Sequence, residues 1–260
     1  MIYFLYFFVI IFANTLGAIS GMGGGVIIKP LLDLIGAHSV AAVSFYSSVA
    51  VFTMSIVSTA RQMKQGISLK LPLVLWISIG ALVGGMIGNV AFEALYQFVP
   101  TESYVQLIQI VLTIITLLFA FFATKFDWAP FGLRHVFWYL FCGLILGFFA
   151  SLLGIGGGPI NVALLMLFFG MPIKEATVYS ICTIFFSQLS KLLTITVTTG
   201  FERYDLTILY VIIPAAVLGG LIGARFSHVL SPKKVTIVFQ LVILIVLAIN
   251  IYNGFIILFH

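Results

Sequence analysis

Apolar and polar positions along this chain do not alternate; they fall into long blocks. Apolar runs cover roughly residues 2–20, 40–60, 71–92, 104–124, 135–153, 175–199, 206–228 and 235–258. Each run is long enough for a helix to cross a hydrocarbon layer of about 30 Å. Two shorter apolar segments, 25–36 and 158–170, each follow a cluster of glycines. About a dozen helical residues reach only about 18 Å, so these two are either half-helices or crossings where the protein thins the barrier. The pattern predicts an all-α polytopic membrane protein with about eight full spans and two short Gly-preceded helices. The runs are too long, and alternate too little, for a transmembrane barrel.

Composition agrees. Hydrophobic residues make up 62% of the 260, charged residues only 7%, and mean hydropathy is +1.26. Soluble domains carry about 25% charged residues, so this chain cannot build a water-facing surface. The opening "MIYFLYFFVIIFANTLGA" lacks the basic start of a signal peptide and reads as a first helix that is retained. A net charge of +5 scattered through short loops reports membrane orientation rather than nucleic-acid binding. Cys142 and Cys182 lie inside apolar runs in no metal-binding spacing, and the four histidines show none either. No HExxH, GxSxG or Walker-type pattern occurs, so neither an enzyme, a cofactor nor a metal is expected.

The chain repeats itself. Gly21, Gly23, Gly24 and Gly25 recur 133 residues later as Gly154, Gly156, Gly157 and Gly158. Gly36 and Gly66 recur as Gly170 and Gly200, and "GGMIGNVAF" from Gly84 recurs as "GGLIGARFS" from Gly219. The expected organisation is a first membrane repeat at 1–125, a linker at 126–134 and a second repeat at 135–260. Loop charge bears on how the halves are related. If the short segments do not cross, ten loop Lys and Arg divide six to four. If they cross, Arg61, Lys64, Lys70, Lys125, Arg134, Lys174, Arg225, Lys233 and Lys234 share one side and Arg203 stands alone. The second division obeys the positive-inside rule. It makes the repeats inverted, with both termini outside the cytoplasm.

A Gly-rich break ends one helix and starts another within a few residues, leaving the first amides of the new helix without partners. Such amides, with the positive end of the helix dipole, suit an anion. Inverted repeats with interrupted helices are also how many secondary transporters build a central site. The candidate binding residues are therefore Gly23, Gly24 and Gly25 in one break, and Gly156, Gly157 and Gly158 in the other. The competing reading is close helix packing, which is preferred for Gly84, Gly85, Gly88, Gly219, Gly220 and Gly223. Asn161, just after the second break, either donates to the site or caps locally.

Ionisable groups inside spans are functional suspects. Lys191 lies well within the run 175–199, with Ser187 and Gln188 one turn before it; a cation beside hydroxyl and amide donors suits an oxyanion. Alternatively, Lys191 snorkels to an interface. Lys29 and Asp33, four residues apart, either neutralise each other or serve coupling or gating through a proton on Asp33. Hydroxyls at Ser47, Ser48, Ser180 and Thr183 either line the path or bond between helices.

The doubled GxGGG followed by a short apolar segment, the length near 260, the two halves and the "KEATVYSI" stretch together resemble the sulfite exporter TauE/SafE family of membrane permeases. The resemblance covers essentially the whole chain and implies export of small sulfur-containing anions such as sulfite, sulfonates or sulfoacetate. It departs from symmetry where Lys29 and Asp33 face Val162 and Met166 in the second half. The expected function is a secondary anion transporter of the cell membrane, with a proton or sodium as candidate coupling partner. An anion channel, or a transporter of another small anion, is the alternative.

Overall fold

The computed structural model describes residues 2–64, 70–126 and 128–259; Gly66 of the repeat and Asp127 of the linker lie outside them. The described residues form ten α-helices and no strand: α1 (Ile2–Ser20), α2 (Gly25–Ile35), α3 (Val40–Lys64), α4 (Leu71–Phe98), α5 (Glu102–Lys125), α6 (Val136–Leu152), α7 (Pro159–Phe169), α8 (Ile173–Thr198), α9 (Leu209–Val229) and α10 (Pro232–Phe259). A single 3₁₀ turn, Leu206–Ile208, leads into α9. Seven of the ten, all but α2, α6 and α7, are long and apolar enough to cross a membrane. The 17 residues of α6 reach about 25 Å, at the lower limit for a span. The protein is a multi-pass helical membrane protein.

The two short helices turn back. Both end on a glycine in the left-handed conformation, Gly36 and Gly170 at φ 66°, whose amides return to the carbonyls of Leu32 and Met166. Near its start α1 brings Tyr6 within 5.8 Å of the His38 ring that follows α2. In the same way Tyr139 of α6 lies 4.9 Å from Phe169 at the end of α7. Thus α1–α2 and α6–α7 are hairpins whose tips are the glycine clusters. Each short helix brings the chain back to the end from which α1 or α6 set out, as the second charge division requires.

Loop contacts sort the connections into two ends. At one end the Val40 amide donates to Glu102 at 3.1 Å, and the Tyr46 hydroxyl donates to the Asp205 carbonyl at 3.1 Å. At the other end the Phe131 amide meets the Leu167 carbonyl at 2.8 Å, the Lys70 amide meets the Tyr179 hydroxyl at 2.8 Å, and Lys174 Nζ meets the Leu230 carbonyl at 2.9 Å. Thus α1 starts at the first end and α6 at the second. Arg203 belongs to the first end, opposite the elements that carry Lys70, Lys125, Arg134, Lys174, Lys233 and Lys234.

The helices interlock across the halves. The broadest packing joins α4 to α6, followed by α1 to α9, with α3 against α9 and α4 against α8. Glycine sets these distances. A Cβ on Gly84 or Gly88 would fall on the carbonyls of Leu144 or Phe148, and one on Gly223 would meet Thr15 and Ala18. Small residues let helix backbones approach where lipid offers no hydrophobic drive for association. Large apolar side chains such as Phe4, Phe12 and Val197 instead point outward.

Candidate functional site

At the centre the two glycine breaks lie side by side and run antiparallel. A Cβ on Gly25 would overlap the Ile155 carbonyl; one on Gly23 would sit 3.6 Å from the Gly156 carbonyl, and one on Gly157 3.3 Å from that of Met22. The second break also demands glycine by conformation, because Gly157 and Gly158 take φ of 139° and 145°. A side chain at either break would push the two strands of backbone apart.

Both breaks leave amides free. In the first, the Ile27 and Ile28 amides return to the Gly24 carbonyl at 3.0 and 2.9 Å. Those of Gly25 and Val26 meet no acceptor among the described residues. In the second, Pro159 has no N–H and the Asn161 amide returns to the Gly158 carbonyl at 3.1 Å, while the Ile160 amide has no acceptor among the described residues. Buried amides are nearly always paired, so unpaired ones at two adjoining helix starts form a donor surface suited to an anion.

Buried polar side chains surround these breaks. Asn161 is 1% exposed and neither atom of its amide has a partner. The Ser47 hydroxyl, also unpartnered, lies where a Cβ on Gly25 would point. Asn14 reaches Gly24 from α1, and its Nδ2 donates to the Ala50 carbonyl at 3.5 Å.

Lys191 is 1% exposed. Its ammonium donates to the Ser44 hydroxyl at 2.7 Å and to the Ser151 carbonyl at 3.4 Å, and lies 5.7 Å from the centre of the Phe92 ring. No carboxylate pairs with it among the described residues. Ser44 in turn sits where a Cβ on Gly154 would be, and Lys29 Cε lies 3.3 Å from the same point. The second buried ammonium is compensated: Lys29 Nζ bonds Asp33 at 2.7 Å with both side chains 4% exposed.

The sequence-derived set is therefore only partly assembled as expected. The two Gly clusters and Asn161 share the centre. Lys191 takes its contacts from α3 and α6 rather than from its own helix. Gln188 donates to Ser187 at 3.4 Å, and Ser187 bonds the Ile184 carbonyl at 3.0 Å, so these two pair locally instead of flanking the ammonium. Ser48 and Thr183 bond carbonyls one turn back on their own helices. Ser180 ties α8 to the first break through the Gly21 carbonyl at 2.5 Å. Sequence reasoning did not pick out Ser44, Ser151 and Asn14 as site residues. Asn14 did carry a signal, as an amide inside the apolar run 2–20; the other two are ordinary serines until tertiary contacts single them out. The described residues hold no group of His, Cys, Asp and Glu able to bind a metal.

Comparison with known proteins fits this architecture. A family model described as "Sulfite exporter TauE/SafE" matches residues 6–251. The "Probable membrane transporter protein YunE" of Bacillus subtilis is 25% identical over 93% of this chain and 94% of its own length. A second protein so described, from Methanocaldococcus jannaschii, is 30% identical over 38% of this chain and 39% of its own. No solved structure matches the chain. With the family match running over nearly its whole length, the chain belongs to the sulfite exporter TauE/SafE family and is a membrane transporter, not an enzyme.

Proposed function

We propose that the protein is a secondary transporter that exports small sulfur-containing anions such as sulfite or organosulfonates across the cell membrane. The anion is held where the two glycine breaks meet, by the free amides at the starts of α2 and α7, by Asn161 and by Lys191. One observation carries this reading: Lys191 is a buried cation with no carboxylate partner beside adjoining, unengaged backbone donors. A buried unpaired charge costs several kcal/mol, and a bound anion would offset that cost.

The halves are inverted repeats in this proposal. The opposite starting ends of the two halves and the exchange of helix contacts between them support it. By the positive-inside rule the Lys-rich end is cytoplasmic and both termini face away from the cytoplasm. Alternating access then amounts to one half rocking against the other about the glycine breaks. Asp33, released from Lys29 when an anion draws on that ammonium, is the group for a coupled proton.

The test is flux in reconstituted liposomes, comparing sulfite, thiosulfate, sulfoacetate and sulfate with and without a pH gradient. Saturable flux of sulfite or sulfoacetate supports the proposal, and acceleration by the gradient supports proton coupling. Single-channel currents would instead identify an anion channel, and absence of flux for all four anions would refute the reading.

A further inference from the structure

Between the first-end halves of α4 and α8 lies an open cavity of about 360 Å³, with Val90, Ala94 and Phe98 as its apolar lining. Its polar lining is Asn89, Glu93, Gln97, Thr194, Thr198 and Thr199. Asn89 is 1% exposed, yet neither its Nδ2 nor its Oδ1 has a partner. An unpaired buried amide costs about 1–3 kcal/mol, so its persistence in the wall of a cavity points to a ligand. The cavity and the central site are neighbours along α4 and α8. Phe92, three residues after Asn89, lies over the Lys191 ammonium, and Thr194 is three residues beyond Lys191 on α8.

Arg203, on the loop after α8, reaches the lining residues Glu93 and Thr199. Its guanidinium grips both carboxylate oxygens of Glu93, at 3.2 and 2.5 Å, and donates through Nε to the Tyr204 hydroxyl at 2.7 Å. Tyr204 stacks on Phe45 with ring centres 4.3 Å apart, and Phe45 adjoins Ser44, the partner of Lys191. A two-pronged guanidinium–carboxylate grip is also how arginine receives an oxyanion.

We propose that this cavity is a second anion-binding station, through which the substrate passes between Lys191 and the first end, and that Glu93 occupies Arg203 as an internal stand-in for the anion. An oxyanion arriving in the cavity takes the guanidinium from Glu93 and fills the free donor of Asn89. Competition by Glu93 keeps the station weak enough to release its occupant, as conduction through successive sites requires. The proposal rests on the anion-transport reading above and adds to it a route and a second contact.

The experiment measures the half-saturating concentration of sulfite and of sulfoacetate added on the cavity side of oriented proteoliposomes, together with thermal unfolding of each variant. Glu93→Gln removes the competitor and should lower that concentration about two- to fivefold, the range for a partly exposed ion pair. Arg203→Gln should raise it, and the double variant should behave like Arg203→Gln alone. Asn89→Ala should raise it without loss of stability, because no protein hydrogen bond is removed, and Asn89→Asp should raise it further by repulsion. If flux is intact but Glu93→Gln and Arg203→Gln shift it in the same direction or not at all, the pair is a structural brace and the station is refuted. If the wild type carries neither anion, the transport reading falls first and this inference with it.

Discussion

Replacing Lys191 with methionine separates a binding role from a structural one. The ammonium's desolvation costs several kcal/mol, and the folded protein offsets it with one hydroxyl at 2.7 Å and one carbonyl at 3.4 Å. Methionine of similar length removes the desolvation cost and leaves the Ser44 hydroxyl oxygen without the donor it accepts from, at about 1–3 kcal/mol. The two changes oppose each other, so stability should stay within about 2 kcal/mol of the wild type. Anion binding behaves differently. Removing one member of a buried, hydrogen-bonded charge pair costs about 2–5 kcal/mol, equivalent to about 30-fold to 5,000-fold in affinity. The assay pairs proteoliposome flux against sulfite concentration with thermal unfolding in the same detergent. Flux with a half-saturating concentration within about threefold of the wild type would refute the reasoning. So would a Lys191→Met protein that unfolds while the wild type is intact, since that would make the lysine a structural donor to Ser44 and Ser151.

Ser44→Ala removes the closest partner of Lys191 without touching its charge, and should weaken anion binding by about 1–2 kcal/mol, seen as a roughly tenfold higher half-saturating concentration; an unchanged value would place Ser44 outside the site. Gly84→Ala puts a methyl on the Leu144 carbonyl and should cost about 1–3 kcal/mol of stability, measured as a lower melting temperature, whereas an unchanged melt would show that α4 and α6 can separate freely. Asp205, exposed at the first end, has its carboxyl held below the usual range by the Thr207 hydroxyl and amide. Its contribution is therefore full above the ordinary carboxylate value of about 4 and fades as pH falls through the lowered folded value. Asp205→Asn should flatten the acid side of the stability profile, and an identical profile would count against the cap. A reporter fused after residue 259 should register the non-cytoplasmic side; a cytoplasmic signal would overturn the orientation.

Much of the architecture was legible because a bilayer imposes its thickness on sequence. Apolar blocks of span length have one viable secondary structure in lipid, since helices alone satisfy their own backbone without closing a barrel; the observed α1, α3, α5, α6, α8, α9 and α10 begin and end within about four residues of the expected runs, and α4 runs six residues past its own. The glycine clusters likewise announced breaks, because glycine is costly in a helix interior. Sequence could not say that α2 and α7 fold back rather than continue, for a short apolar helix reads the same in either direction. It also could not pair Lys191 with Ser44, 147 residues away, or align the breaks so that Gly25 meets Ile155. Helical periodicity relates only residues within a few positions, which made Ser187 and Gln188 look like the natural companions of Lys191. The chain by itself thus determined where it is helical and where it is interrupted. Only the tertiary structure decided which polar groups meet, because a buried charge finds its partners across helices packed glycine to carbonyl, at separations no local pattern records.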